Sequence, residues 1–338
     1  MTTLRSLLAL LLCLPLLARE PVDIIFDTDM GNDIDDALAL AIIHQLADRG
    51  ALNLLAVTST KDHPLSVPCI DALNTFYGRP DVPIGAVRDG VNTIVGNFLP
   101  LVSQKNPDGK LRYPHDLRDG KNAPESVSLL REILAKRPAK SVTLIQVGFS
   151  TNFSRLLDSP ADEHSPLSGR ELITEKVREL ILMAGSFKVD PEKGRYGEYN
   201  IIKDLPAARN IAKNWPTPAL WTDYQIGMAV RYPNFSIRQD YDYLPHHPLK
   251  DWYLAYCNPI GPKHDRPTWD LTAVLQAAWP DRGYFDLSEP GRIEINDKGH
   301  TIFTPDPAGA HRFFLMNEIQ QARVHEAFLQ LCPAPPRR

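Results

Sequence analysis

The sequence predicts an α/β fold: a mainly parallel sheet flanked by helices, with a small C-terminal β-hairpin. Three observations predict it. Short apolar runs alternate with longer helix-patterned segments along most of the 338 residues. The stretch 22–40, VDIIFDTDMGNDIDDALAL, passes from an apolar run through an acidic turn into an Ala- and Leu-rich segment, a strand, turn and helix in sequence. No repeat, low-complexity tract or linker separates two compositions, so residues 19–338 read as one domain.

The elements follow in order. Residues 22–26 form the first strand, and residues 34–48 a helix that Gly50 stops. Residues 52–60 give a second strand, 64–77 a helix and 82–87 a short strand. Residues 90–122 are polar, rich in Gly, Pro and Asn, and without sustained period; connections this long often bind or cover ligands. A helix is expected over 125–136, strands over 141–149 and 179–186, a helix over 204–212 and a strand over 218–222. Residues 270–278 suit a short apolar helix. In residues 292–303 an Asp-Lys-Gly turn sits between alternating residues, a hairpin pattern, and the chain closes on a helix over 311–331. In such sheets ligands bind beyond the carboxyl ends of the strands. Residues 27–36, 58–63, 147–152 and 185 onward should therefore line one rim.

Hydrophobic content of 43% and charged content of 23% are those of a globular protein. The net charge of −4 and the lack of a basic run beyond Arg337–Arg338 argue against nucleic acid as a partner. At the N-terminus Arg5 precedes the apolar run 7–17, too short to span a bilayer, and Ala18 then gives way to Arg19 and Glu20. Residues 1–18 read as a signal peptide, which makes the mature protein secreted or periplasmic and free of the membrane. That mature chain keeps Cys69, Cys257 and Cys332, so at most one intramolecular pair forms. No metal or redox pattern links the three, and they read as buried small hydrophobes.

Five aspartates, Asp27, Asp29, Asp33, Asp35 and Asp36, crowd into ten residues around Gly31. They cannot all ionise side by side without a cation, shared protons or generous solvation. Hard oxygen donors at this density favour Ca²⁺ or Mg²⁺ over zinc. Helix N-termini also attract aspartate, but that accounts for two of the five. Three further stretches stand out, each with an ordinary reading of its own. VGFSTN, residues 147–152, is a turn and helix cap taken alone; GEYNIIKD, residues 197–204, places Glu198 and Asn200 on one face if extended; RPTWDLTAVL puts Asp270 just before an apolar helix.

In this order and spacing the four stretches resemble the inosine-uridine preferring nucleoside hydrolases, the calcium-dependent N-ribohydrolases, over about residues 23–278. The resemblance implies the fold of those enzymes, with its Rossmann-like core, and an exported bacterial-type member. It implies a hydrolase that cleaves the N-glycosidic bond of ribonucleosides or related ribosides. Asp29, Asp36 and Asp270 then correspond to carboxylate ligands of one Ca²⁺, with the Val147 carbonyl completing the protein shell. Asp29 corresponds to the general base acting on a Ca²⁺-bound water. Asp35, Glu198 and Asn200 correspond to groups that hold the sugar, and relatives are commonly homo-oligomers.

The chain also departs from the family pattern. The opening motif is two residues longer, so Asp33 is extra; Asp62, in preference to His63, stands where relatives carry a ribose-side Asn. Glu192 stands near another such Asn. Trp269 replaces the histidine that assists the leaving base; it stacks on a base but donates no acid proton. His63, Tyr224 and Tyr196 are the candidates for that assistance. These departures keep open a second class, a catalytically degenerate calcium-dependent riboside-binding protein. A third reading, DTDMG as an aspartyl-phosphatase box, fits poorly because Met30–Gly31 follows the second Asp.

Overall fold

The computed structural model describes residues 20–261 and 263–337. The expected signal peptide, residues 1–18, lies outside the described residues. Ten strands form one sheet: β1 (Val22–Thr28), β2 (Leu52–Ser59), β3 (Ile84–Ala86), β4 (Val142–Gln146), β5 (Val177–Met183), β6 (Ala219–Thr222), β7 (Asp286–Leu287), β8 (Gly291–Ile295), β9 (Thr301–Pro305) and β10 (His311–Leu315). Their order is β9-β8-β10-β6-β5-β4-β1-β2-β3, with β7 pairing β10. From β3 to β10 every pairing is parallel. The segment β3-β2-β1-β4-β5-β6 is the doubly wound order, whose direction switches between β1 and β4.

Helices cover both faces, and the strands are correspondingly apolar on both sides. Ile24 and Phe26 of β1 and Ile181 of β5 join one core; Ile25, Leu180 and Leu182 join the other. The first core is closed by α1 (Asp35–Asp48) and α2 (Ser66–Phe76). The second is closed by α3 (Ser126–Ala135), α4 (Thr151–Asp158) and α5 (Gly169–Lys176). Two consecutive helices, α6 (Tyr199–Lys203) and α7 (Leu205–Asn214), follow β5, with Ile211 of α7 in the second core. After β6 come α8 (Tyr224–Ala229), α9 (Asn234–Gln239), α10 (Pro248–Cys257) and α11 (Trp269–Ala278), and the chain closes with α12 (Glu318–Leu331). All five return to the first core, through Ile226, Ile237, Trp252, Val274 and Phe328 respectively.

The expected hairpin is present as β8 and β9, paired in register from Gly291↔Pro305 to Ile295↔Thr301. It extends the main sheet through β10. The single terminal helix expected over 311–331 is corrected by the structure. Residues 311–315, HRFFL, pair in parallel with β6, and the helix begins only at Glu318. Asn317 sets that start through a capping box with Gln320, each accepting the other's backbone N–H at 2.9 Å. Cys69, Cys257 and Cys332 are buried free thiols, so no disulfide joins them. No described helix is long and apolar enough to cross a membrane.

Candidate active site

The site is built where β1 and β4 end. After Thr28 the chain turns through Gly31, whose φ of +115° suits glycine, and enters α1 with Asp35 and Asp36 in its first turn. The Thr28 hydroxyl donates to the Asp36 carboxylate and accepts the Met30 N–H at 3.1 Å. Helix α11 arrives at the same point, and its Asp270 N–H donates to Asp35 Oδ2 at 3.2 Å. Carboxylate oxygens of Asp35, Asp36 and Asp270 thus lie within 4.8 Å of one another, all three residues buried. Burial first, then the neighbouring carboxylates, pushes each of the three far above the usual carboxylate range. Three buried like charges held this close need a cation or protons, and an all-oxygen donor set suits a hard divalent ion.

Asp29 lines the same cavity and is buried, but its Oδ2 accepts from the Asn32 amide, and Asp35 takes the third place in the close triad. Burial raises Asp29 to about 6, against the Asn32 hydrogen bond and the charge of Lys61. Val147 follows β4; its N–H donates to the Asp27 carbonyl at 2.8 Å and its own carbonyl accepts from Asn200 Nδ2 at 2.8 Å. Gly148 permits this approach, since a Cβ there would stand 2.5 Å from the Asp29 nitrogen.

The cavity, about 420 Å³, also receives Glu198, Asn200 and Trp269. An extended run was the condition for Glu198 and Asn200 sharing a face; the chain instead bends into α6 behind Glu198. Glu198 caps that helix, its carboxylate accepting the N–H groups of Gly185, Asn200 and Ile201 at 2.8–3.1 Å. Burial nevertheless holds it up at about 7. Asn200, one residue inside the helix, still reaches the cavity.

Asp62 is not brought there. Its carboxylate accepts the Gly90 N–H at 3.0 Å, and its neighbour Lys61 turns inward instead, to the side-chain oxygens of Asn32 and Asn92. His63 spends Nδ1 on the Leu65 N–H at 3.2 Å and does not line the cavity. Glu192 is exposed beside a two-stranded ribbon, Val189–Asp190 with Gly194–Arg195. Of the candidates for leaving-group assistance, Tyr196 and Tyr224 remain. Their rings stand 4.3 Å apart, and Tyr224 stacks on Trp269 at 5.9 Å. Gly227 makes room for the indole, because a Cβ there would lie 2.1 Å from Trp269.

Sequence reasoning missed Arg266, Tyr199 and Tyr256, which also line the cavity. Arg266 forms a two-pronged pair with Asp33, which gives the extra aspartate a cationic partner beside Asp35. The signal was present in RPTWD, three residues before Trp269, but nothing local announces a partner 233 residues earlier.

Known proteins share this arrangement of chain. The model of the family described as inosine-uridine preferring nucleoside hydrolase matches residues 24–323. The inosine-uridine preferring nucleoside hydrolase of Crithidia fasciculata is 24% identical over 214 residues, covering 63% of this chain and 62% of that protein. The chain spans less than two thirds of the length of the curated relatives it matches. Among solved structures, a plant nucleoside hydrolase superposes with a TM-score of 0.67 at 20% identity, over 93% of this chain and 100% of its own. A purine-preferring ribonucleoside hydrolase from Gardnerella vaginalis gives 0.68 at 17% identity, over 92% and 98%. Identities this low speak to the fold.

Proposed function

The chain belongs to the inosine-uridine preferring nucleoside hydrolase family, and from that premise we propose that it hydrolyses the N-glycosidic bond of ribonucleosides or related ribosides with Ca²⁺ as cofactor. The observation that carries the reading is the buried triad Asp35, Asp36 and Asp270 at the sheet's switch point, with Asp29 beside it. Asp29, Asp36, Asp270 and the Val147 carbonyl would hold the ion, with Asp35 close enough to share it. When bound, Ca²⁺ acidifies water and anchors the sugar's vicinal hydroxyls.

The chain's own residues do the rest. Asp29 takes the proton of the attacking water, and Asn32 keeps its carboxylate oriented. Asp35, Glu198 and Asn200 grip the sugar and favour the positive charge that develops on it. Trp269, Tyr224 and Tyr196 stack against the aglycone and keep water from it. Asp62 is given no part in the sugar site, since it does not line the cavity and its carboxylate accepts from Gly90. The protein acts after export, as a secreted or periplasmic enzyme, on small molecules and not on nucleic acid.

Replacing Asp29 by Ala tests the assignment. With calcium in saturating excess, riboside turnover should fall by about 10²- to 10⁴-fold, the usual contribution of a positioned base, and riboside binding measured by calorimetry should weaken far less than turnover. Equal turnover in the two forms would overturn the role of Asp29. Zero turnover in both with intact binding would leave a riboside-binding protein.

A further inference from the structure

Arg266 stands at the aromatic end of the cavity, with its guanidinium carbon 5.1 Å from the ring centres of both Tyr256 and Trp269. Its Nε donates to Asp33 Oδ1 at 2.8 Å and its Nη2 to Oδ2, and its backbone N–H donates to the Tyr253 hydroxyl at 2.9 Å. The side chain is only 16% exposed. Nη1 has no hydrogen-bond partner among the described residues, and it is not among the sealed, unsatisfied atoms of the interior. A planar guanidinium fixed on one edge therefore offers its remaining donors on a cavity wall.

Charge decides what those donors accept. Asp33 offsets the positive charge of Arg266, and Asp29, Asp35, Asp36 and Asp270 line the same cavity. A phosphate or carboxylate would meet a cation already paired with Asp33, in a cavity lined by six carboxylates, Glu198 included. A neutral carbonyl oxygen meets only an unspent N–H donor. Arginine donates and never accepts, so an exocyclic amino group at the same place would set donor against donor.

We propose that Arg266, positioned by Asp33, reads the aglycone and selects a carbonyl-bearing base, a 6-oxopurine over a 6-aminopurine. The inference rests on the riboside-hydrolase reading and assigns that site its preference. The 6-oxopurine edge presents two adjacent acceptors, O6 and N7, which is the pattern an arginine matches; the 6-aminopurine edge replaces one with a donor. Asp33 belongs to the two-residue extension of the acidic turn, so that extension supplies the group that holds the reader in place.

The test compares kcat/KM for inosine and adenosine in the calcium-loaded full-length mature protein, with p-nitrophenyl riboside as an independent substrate. The wild type should favour inosine by about tenfold or more, the discrimination expected of one well-placed arginine. Arg266→Gln should lower the inosine value and bring the two nucleosides close to parity. Asp33→Asn, which loosens the guanidinium without removing it, should move the ratio the same way by a smaller factor. A merely structural role would lower both nucleosides together and leave the ratio alone. Cleavage of p-nitrophenyl riboside with a wild-type preference for adenosine, or with a ratio that Arg266→Gln does not change, would overturn the inference and leave the hydrolase reading standing. Failure to cleave any riboside would remove both.

Discussion

Asp29, Asp35, Asp36 and Asp270 are four acids whose positions serve the cavity at the expense of the fold. Three were visible as a crowded motif, and Asp270 was visible as an acid opening an apolar helix. Their convergence was not, because it depends on two helix N-termini, with Asp35 and Asp270 lying 235 residues apart in sequence, meeting at one point. Asp62 and Lys61 show the reverse case. Neither sequence position nor chemistry tells which neighbour turns inward; the Gly90 N–H draws Asp62 away, and Lys61 takes the space. One prediction at this scale concerns a buried residue outside the site. His44 is sealed in α1, shares one hydrogen bond with Asn74 at 2.9 Å and stacks on Tyr77. Burial, helped by the charge of Arg79, lowers its pKa to about 3. The unfolded chain takes up that proton near pH 6.5 and the folded chain does not, so the unfolded state binds more protons between about pH 6.5 and 3. Stability is therefore full above that window and declines as pH falls through it, by up to about 1.4 kcal/mol per pH unit from this residue. His44→Gln should flatten the fall in denaturant-derived stability between pH 6.5 and about 4. An unchanged slope would show that His44 does not carry it.

Elements with a strong local pattern were legible, and those held by tertiary contacts were not. The early strands and α1 declare themselves through apolar runs and a glycine stop. The segment 311–315 looks helical only by continuity with the terminal helix, and it becomes a strand because β6 offers an open edge. Helices α6 and α8 are short, and each is fixed by one capping carboxylate, Glu198 or Asp223. The junction of β1 and β4 yields the element-scale prediction. A methyl group at Gly148 would lie 2.4 Å from the Thr60 hydroxyl and 2.5 Å from the Asp29 nitrogen. Gly148→Ala should cost about 1–3 kcal/mol by urea denaturation and reduce turnover together with it, because the strand end that carries Asp29 must shift. A fully stable, fully active variant would contradict the close approach.

At the scale of the whole molecule, the doubly wound order places the acidic turn of β1 and the end of β4 on either side of the switch point. The fold thus explains why strand-end residues 27–36 and 147–152 share a rim, as alternation of strands and helices already implied. It does not by itself explain the aromatic wall, which comes from α8, α11 and the segment before α6, elements that no periodicity linked to the acidic turn. The central claim is that this rim hydrolyses a glycosidic bond with the help of a divalent ion. The most direct measurement is release of p-nitrophenolate from p-nitrophenyl riboside by the mature protein, first with a calcium chelator and then with calcium restored. That leaving group departs without protonation, so a tryptophan in place of an acid at Trp269 does not limit it. Release that disappears on chelation and returns with calcium is the predicted result. Release unaffected by the chelator would contradict the metal assignment, and no release at any calcium level would contradict the hydrolase itself.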